Sequence, residues 1–269
     1  MPTARINGIN LHYESQGDGP PVLFIHGLGS SAADWSPQVD AMKDRFRCIT
    51  YDARGHGQSD KTDEGPYLIP QHAADAVALL DYLGIHSAPV VGLSMGGMIA
   101  FQMAVDSPER MLGMVIINSG PRVKPQTFKE HMAIWQRLIL FNLFSMRKIG
   151  EVIGKRLFPD ENQAALRQDF IESWARNDKR AYMDATRGLA NWNVEPQVGS
   201  IQVLTLVLAA DQDYTSVELK RAYVEKMPHA ELVVIENARH AVNMASPEKV
   251  NGLIEDFLAR VSEWVPAVS

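Results

Sequence analysis

Residues Ser87–Val105, SAPVVGLSMGGMIAFQMAV, decide the reading of this chain. Ala88-Pro-Val-Val91 is a short apolar run, the mark of a buried strand. Gly92-Leu-Ser-Met-Gly-Gly97 follows. Met98 to Val105 is apolar and alanine-rich, as in a helix packed on its small face. The order is strand, corner, helix, with Ser94 at the corner. A corner this tight holds the serine in a strained backbone. Gly92 and Gly96, two positions to either side, then come too close to tolerate a Cβ. The spacing predicts an exposed hydroxyl with a helix N-terminus behind it, where developing negative charge is favoured.

The segments on either side repeat the strand–helix rhythm. Ala4 to Tyr13 reads as a hairpin about Asn7-Gly8, the preferred pair for a type I′ turn. Pro21-Val-Leu-Phe-Ile25 is a continuous apolar strand that ends in His26-Gly-Leu-Gly29, where glycines let backbone N–H groups turn toward a ligand. A helix is expected over Trp35 to Lys43, a strand over Arg47 to Asp52, a polar loop to Gly65 and a helix from Leu68 to Leu83. Met111 to Ile117 is another strand. Alternation of this kind predicts an α/β fold, a mostly parallel, doubly wound sheet with helices on both faces.

Between about Pro121 and Val198 the rhythm breaks. No strand is convincing there, and four helices are expected: Thr127 to Met146, Arg147 to Leu157, Glu161 to Asn177 and Lys179 to Ala190. We read residues 121–198 as a helical cap inserted into a core of residues 1–120 and 199–269. The segment IWQRLILFNLFSM, Ile134 to Met146, reads as a lid touching an apolar substrate, an interfacial helix, or a cap helix buried against its neighbours. The rhythm resumes with a strand over Gln202 to Ala209, a helix over Ser216 to Met227, a strand over Glu231 to Ile235 and a helix over Pro247 to Val261.

Bulk properties narrow the classes of function. The chain has 269 residues, 46% hydrophobic and 22% charged, with a formal charge of −6. That charge argues against a nucleic-acid surface and against anionic membranes. The single cysteine, Cys48, excludes an intrachain disulfide and reads as a packed, inert thiol. The N-terminal residues carry no leader pattern and no run is long enough to span a membrane, so a cytoplasmic location is expected. No His/Cys/Asp/Glu cluster has metal-ligand spacing, so neither metal nor cofactor is expected. Nothing in the sequence specifies an oligomeric state.

A serine hydroxyl needs a base within hydrogen-bond reach, usually histidine, oriented by a carboxylate. In a doubly wound sheet such partners come from loops at the carboxyl ends of strands. The loop after Ala209 carries Asp211 and Asp213, and the loop after Ile235 carries His240. The order serine, acid, histidine is that of one hydrolase class.

With those residues the chain resembles the α/β-hydrolases, in the branch of carboxylesterases, 3-oxoadipate enol-lactonases and cofactor-free perhydrolases. His26-Gly-Leu-Gly29 is similar to the oxyanion loop. Asp52-x-Arg54-Gly-His-Gly-x-Ser59 is similar to a second signature, and Gly92-Leu-Ser-Met-Gly-Gly97 to the nucleophile elbow. The resemblance implies a serine esterase with Ser94 as nucleophile, His240 as base and Asp213 as acid, Asp211 being the rival. Ala210 stands where the family usually has glycine, and Asn118-Ser119 leaves no carboxylate at the alternative acid position. The resemblance also implies an oxyanion hole from the backbone N–H groups of Leu28 and Met95, and structural roles for His26 and His56.

The expected substrate is a small carboxylic ester or lactone. Trp35, in a pattern shared with enol-lactonases, and Trp135 and Leu138 in the cap are the candidate substrate contacts. Serine at the elbow argues against dehalogenation, and Leu28 departs from the aromatic residue usual in perhydrolases. Two readings from other classes compete. Gly27-x-Gly29-x-x-Ala32 with Asp52 fits a dinucleotide-binding fingerprint, but the helix starts too late for the pyrophosphate to meet its N-terminus. A receptor-like binding protein on the same fold would leave Ser94, Asp213 and His240 without a purpose.

Overall fold

The computed structural model describes residues 2–123, 132 and 141–263. An eight-stranded sheet organises it: β1 (Thr3–Ile6), β2 (Ile9–Gln16), β3 (Pro21–Ile25), β4 (Arg47–Tyr51), β5 (Ala88–Leu93), β6 (Met111–Ile117), β7 (Thr205–Ala210) and β8 (Ala230–Ile235). Their spatial order is β1-β2-β4-β3-β5-β6-β7-β8. The hairpin β1–β2 and the β2–β4 pair are antiparallel, and every other pair is parallel. The hairpin turns on Asn7 (φ +44°) and Gly8 (φ +83°), the left-handed pair a type I′ turn requires.

Strands β3 to β7 are buried on both faces, so their residues alternate between two cores. Leu23 and Ile25 join the layer formed with α2 (Ile69–Tyr82) and α3 (Met95–Asp106). Val22 and Phe24 join the opposite layer with α1 (Ser36–Met42) and the C-terminal helix, Pro247–Glu263. Burying each such side chain contributes about 1.5–3 kcal/mol before the entropy of ordering it. Cys48 lies in the second layer, and burial pushes its thiol up to about 11.

Several boundaries differ from the sequence expectation, three of them for a clear local reason. α3 begins at Met95 rather than Met98. Gly96 and Gly97 have low helix propensity in isolation, but close packing at the corner overrides it. β7 begins at Thr205, because Ile201 to Leu204 approaches the sheet as irregular chain. The helix expected over Glu161–Asn177 is a 3₁₀ turn at Glu161–Gln163 leading into Ala164–Ala175.

Among the described residues, 121–198 contribute no strand to the sheet. They form the helices α4 (Met146–Leu157), α5 (Ala164–Ala175) and α6 (Lys179–Gly188). The chain enters and leaves this region side by side, through a bridge between Arg122 and Asn193 and bonds from Val123 N to Trp192 O (2.8 Å) and Val194 N to Pro121 O (2.8 Å). The helices share an apolar cluster that includes Phe158, Phe170, Trp174 and Tyr182, and it reaches Ala241 beside His240. Asn177 Nδ2 donates to Gly29 O (2.8 Å), which ties the region to the loop after β3. Among the described residues, no helix is long and apolar enough to cross a membrane.

Candidate active site

Ser94 links β5 to α3 with φ +55° and ψ −113°, a conformation costly for a residue with a side chain. Three bonds hold its backbone there. Its N–H donates to Ile117 O (2.9 Å), and its carbonyl accepts from Met98 N (3.1 Å) and from Ser119 Oγ (2.6 Å). A Cβ on Gly92 would overlap the Gly96 carbonyl group, and one on Gly96 would overlap the Ile25 carbonyl oxygen. The glycines therefore permit two backbones to touch beneath the serine.

The loop after β3 runs beside this corner: a Cβ built on Gly27 would lie 3.4 Å from Ser94 Cβ. His26 fixes that loop. Its Nε2 accepts from Ala53 N (2.9 Å), so the ring is neutral with the proton on Nδ1, and Nδ1–H donates to Gly27 O (2.7 Å). Ser30 N donates to the same carbonyl (3.2 Å). In a trans peptide the N–H lies opposite the C=O. Anchoring Gly27 O therefore fixes the direction of the Leu28 N–H. His26 and His56, expected to be structural, are both buried, and His56 Nδ1 bonds Arg54 O (3.0 Å).

On the far side, β7 and β8 deliver the acid and the histidine. His240 Nδ1 lies 2.5 Å from Asp213 Oδ1. The Asp213 side chain is fully buried, and that of His240 is 17% exposed. Burial disfavours the Asp213 carboxylate, but bonds and charge from His240 and Lys220 outweigh it and hold the acid well below the usual carboxylate range. Asp211, the rival, points elsewhere: its Oδ1 accepts from Ala238 N (3.0 Å). Tyr214 stacks on His240 with ring centroids 4.5 Å apart.

Asn118, in sequence only the absence of a carboxylate after β6, joins the candidate site through its side chain. It follows β6 at φ +46°. Its Oδ1 accepts from Ala210 N (2.8 Å), and its Nδ2 donates to His240 O (2.8 Å) and Arg239 O (3.3 Å). One strand end therefore meets both the Ser94 backbone, through Ile117, and the His240 backbone. A positive φ is unusual for any residue but glycine and several-fold commoner for asparagine, yet nothing in the sequence marks this asparagine as the link.

Two other expectations need correction or fall outside the description. Trp35 is not at the site: it is 1% exposed and packs at 5.3 Å from the Phe24 ring, in the core layer under α1. Its place in a signature-like pattern reflects packing. Trp135 and Leu138 lie outside the described residues. A cleft of about 240 Å³ borders His240 and Tyr214 and is lined by Lys155, Arg156 and Arg239 among others. Among the described residues, no His/Cys/Asp/Glu group could hold a metal ion.

A serine at a strand–helix corner, with an acid–histidine pair on loops at the same sheet edge, is the arrangement of the α/β-hydrolase class. The family profile described as the alpha/beta hydrolase fold matches residues 20–247, and the chain belongs to that family. It is 30% identical over 262 residues to 3-oxoadipate enol-lactonase 2 of Acinetobacter baylyi, covering 96% of each chain. It is 31% identical over 267 residues to a putative carbamate hydrolase, RutD, of Variovorax paradoxus, covering 96% of this chain and 99% of the relative. The crystal structure of the enol-lactonase from Burkholderia xenovorans superposes with a TM-score of 0.87 at 26% identity, covering 96% of this chain and all of that one.

Proposed function

We propose that this hydrolase cleaves small carboxylic esters through an acyl-enzyme on Ser94. His240 takes the serine proton and returns it to the leaving alcohol. Asp213 orients the imidazole and stabilises its cationic form. The backbone N–H groups of Leu28 and Met95 receive the oxyanion, each worth about 3 kcal/mol of barrier. Water then attacks the acyl-enzyme by the same proton relay. The observation that carries this reading is the 2.5 Å contact between His240 Nδ1 and Asp213 Oδ1. It leaves Nε2 as the nitrogen available to a serine proton.

A second reading, hydrolysis of an enol-lactone bearing a carboxylate, draws support from the 30%-identical relative of that name and from the Lys155, Arg156 and Arg239 cations around the cleft beside His240. The two readings share every step at Ser94 and differ in the acyl donor. A panel of p-nitrophenyl esters of increasing chain length, run beside a carboxylated enol-lactone, separates them by kcat/KM. Equal rates with wild type and Ser94→Ala on every substrate would remove the serine from both.

A further inference from the structure

α7 (Val217–Val224) follows the Asp213 loop and is oriented against expectation. Its buried stripe is Lys220, Tyr223 and Val224, at i, i+3 and i+4, while Leu219 is 50% exposed. A helix of ordinary amphipathic design would place leucine inward and lysine outward. Here an ammonium occupies the inner position at 1% exposure. A buried cation is costly unless it is paired and hydrogen-bonded. Lys220 is both: Nζ donates to Asp213 Oδ2 (2.6 Å), Thr215 O (2.8 Å) and Thr215 Oγ1 (2.7 Å). The Thr215 hydroxyl in turn donates to Asp213 Oδ2 (2.8 Å).

The two oxygens of Asp213 therefore have separate partners, Oδ1 facing His240 and Oδ2 facing Lys220 and Thr215. We propose that Lys220 is a positioning residue for His240: it fixes the rotation of the Asp213 carboxylate and offsets part of the negative charge that the imidazole feels. This rests on the reading of Asp213 and His240 as acid and base. A carboxylate alone would stabilise imidazolium and make the base titrate high. With an ammonium on its other oxygen the pair presents a smaller net charge.

Other charged or titratable groups near the pair are accounted for. Tyr223, on the same helix, is fully buried, and burial and then the Asp213 charge push its phenol up, so it stays neutral. Asp211 is held by the backbone of the loop after β8. Tyr214 covers one face of the imidazole. From the other elements, Arg239 adjoins His240 in the chain, and Lys155 and Arg156 of α4 line the cleft beside it. Of these cations only Lys220 touches the carboxylate among the described residues.

The test is the titration of His240, followed by NMR of labelled histidine in the full chain and assigned with His240→Gln. It runs beside the pH profile of kcat/KM for an activated ester. Lys220→Met should move both midpoints upward by about one pH unit, the order expected for a charge a few ångströms beyond a carboxylate. Lys220→Arg should stay within a few tenths of wild type. A folded Lys220→Met with an unmoved midpoint overturns the proposal. So does an arginine variant shifted as far as the methionine one, since charge would then not be the agent. Should neither variant fold, Thr215→Val on its exposed turn decides: an upward shift of a few tenths supports the coupling, and none overturns it. The NMR readout does not need turnover. A moved midpoint in a protein without esterase activity would count against the ester-cleaving reading while leaving Lys220 coupled to His240.

Discussion

Two buried polar clusters in this molecule are built from the same residue types and have opposite ends. One lies at the carboxyl end of β4. Asp52 accepts from Ala32 N (2.8 Å) and Gln58 N (2.7 Å) and faces His12 Nδ1 (3.1 Å). Arg54 grips Asp75 through two bonds of 2.9 Å. The rings of His26, His56 and His72 lie in sequence, with centroids 5.2 and 6.4 Å apart. The other cluster is Lys220, Asp213 and His240. Each has at least one carboxylate, a histidine and a cation. The first is closed on all sides, whereas the second ends in a half-buried imidazole beside an open cleft. A histidine–carboxylate contact therefore says nothing of chemistry until the exposure of the far nitrogen is known.

The largest expected effect breaks the pair apart directly. His240→Gln should lower kcat/KM for an ester by about 10⁴-fold, because it removes the proposed base. Its thermal midpoint should stay within a few degrees of wild type. His56→Ala should do the reverse: about 2–4 kcal/mol of stability lost to a cavity and a broken bond to Arg54 O, roughly 5–15 °C in Tm, with turnover per folded molecule nearly kept. Calorimetry and steady-state kinetics on both variants check this. If His56→Ala abolished turnover while leaving Tm alone, the assignment of the two clusters would be exchanged.

The next effect is in pH. Burial lowers His56 to about 3, and burial also holds His72 well below the usual imidazole value. Both bind a proton in the unfolded chain before they do in the folded one. Their contribution to stability is complete above about pH 6.5 and is lost as the pH falls through the window from there toward 3. Each histidine can contribute a slope of up to about 1.4 kcal/mol per pH unit. Asp213, held low in the fold, begins to cost stability only below about pH 4, where an unfolded carboxylate gains its proton. Denaturant titrations at pH 7.5, 6 and 5 should show stability falling steadily across the range. A flat dependence over that range would mean the closed cluster is hydrated or already protonated.

The contrast also explains which parts of the molecule were legible beforehand. The order of strands and helices was readable because the central strands β3, β5, β6 and β7 are apolar runs, the hairpin is marked by Asn7-Gly8, and the helices between them carry apolar stripes. The strand–helix corner at Ser94 was readable because it needs glycine at positions 92 and 96, where a Cβ would meet backbone. His240 and the Asp211/Asp213 pair were readable because chain order and strand ends say where such residues belong. Lys220 was not: a lysine reads as solvated, and only its register with Tyr223 and Val224 shows that it faces inward. Asn118 was not, because its part is to join three loops that are distant in sequence. Trp35 was misread because a motif position does not state which way a ring points.

The smallest expected effect tests the finest of these distinctions, between two aspartates one residue apart. Asp211 is exposed, and its low pKa comes first from the Ala238 N–H and then from the Asn237 N–H, not from a cation. Asn at this position keeps an oxygen for those amides and loses only charge. Asp211→Asn should therefore change kcat/KM by less than about threefold and stability by at most about 0.5 kcal/mol. Asp213→Asn removes the carboxylate that fixes the His240 tautomer and leaves Lys220 buried without its counter-charge. Its rate should fall by about 10⁴-fold, and it should also lose stability, because a buried cation is left unpaired. The comparison is sharpest as a ratio. If the Asp211 variant lost as much rate as the Asp213 variant, the loop after β7 would have to rearrange in the working enzyme, and the closed Lys220–Asp213 pair would belong with the structural cluster rather than with the site.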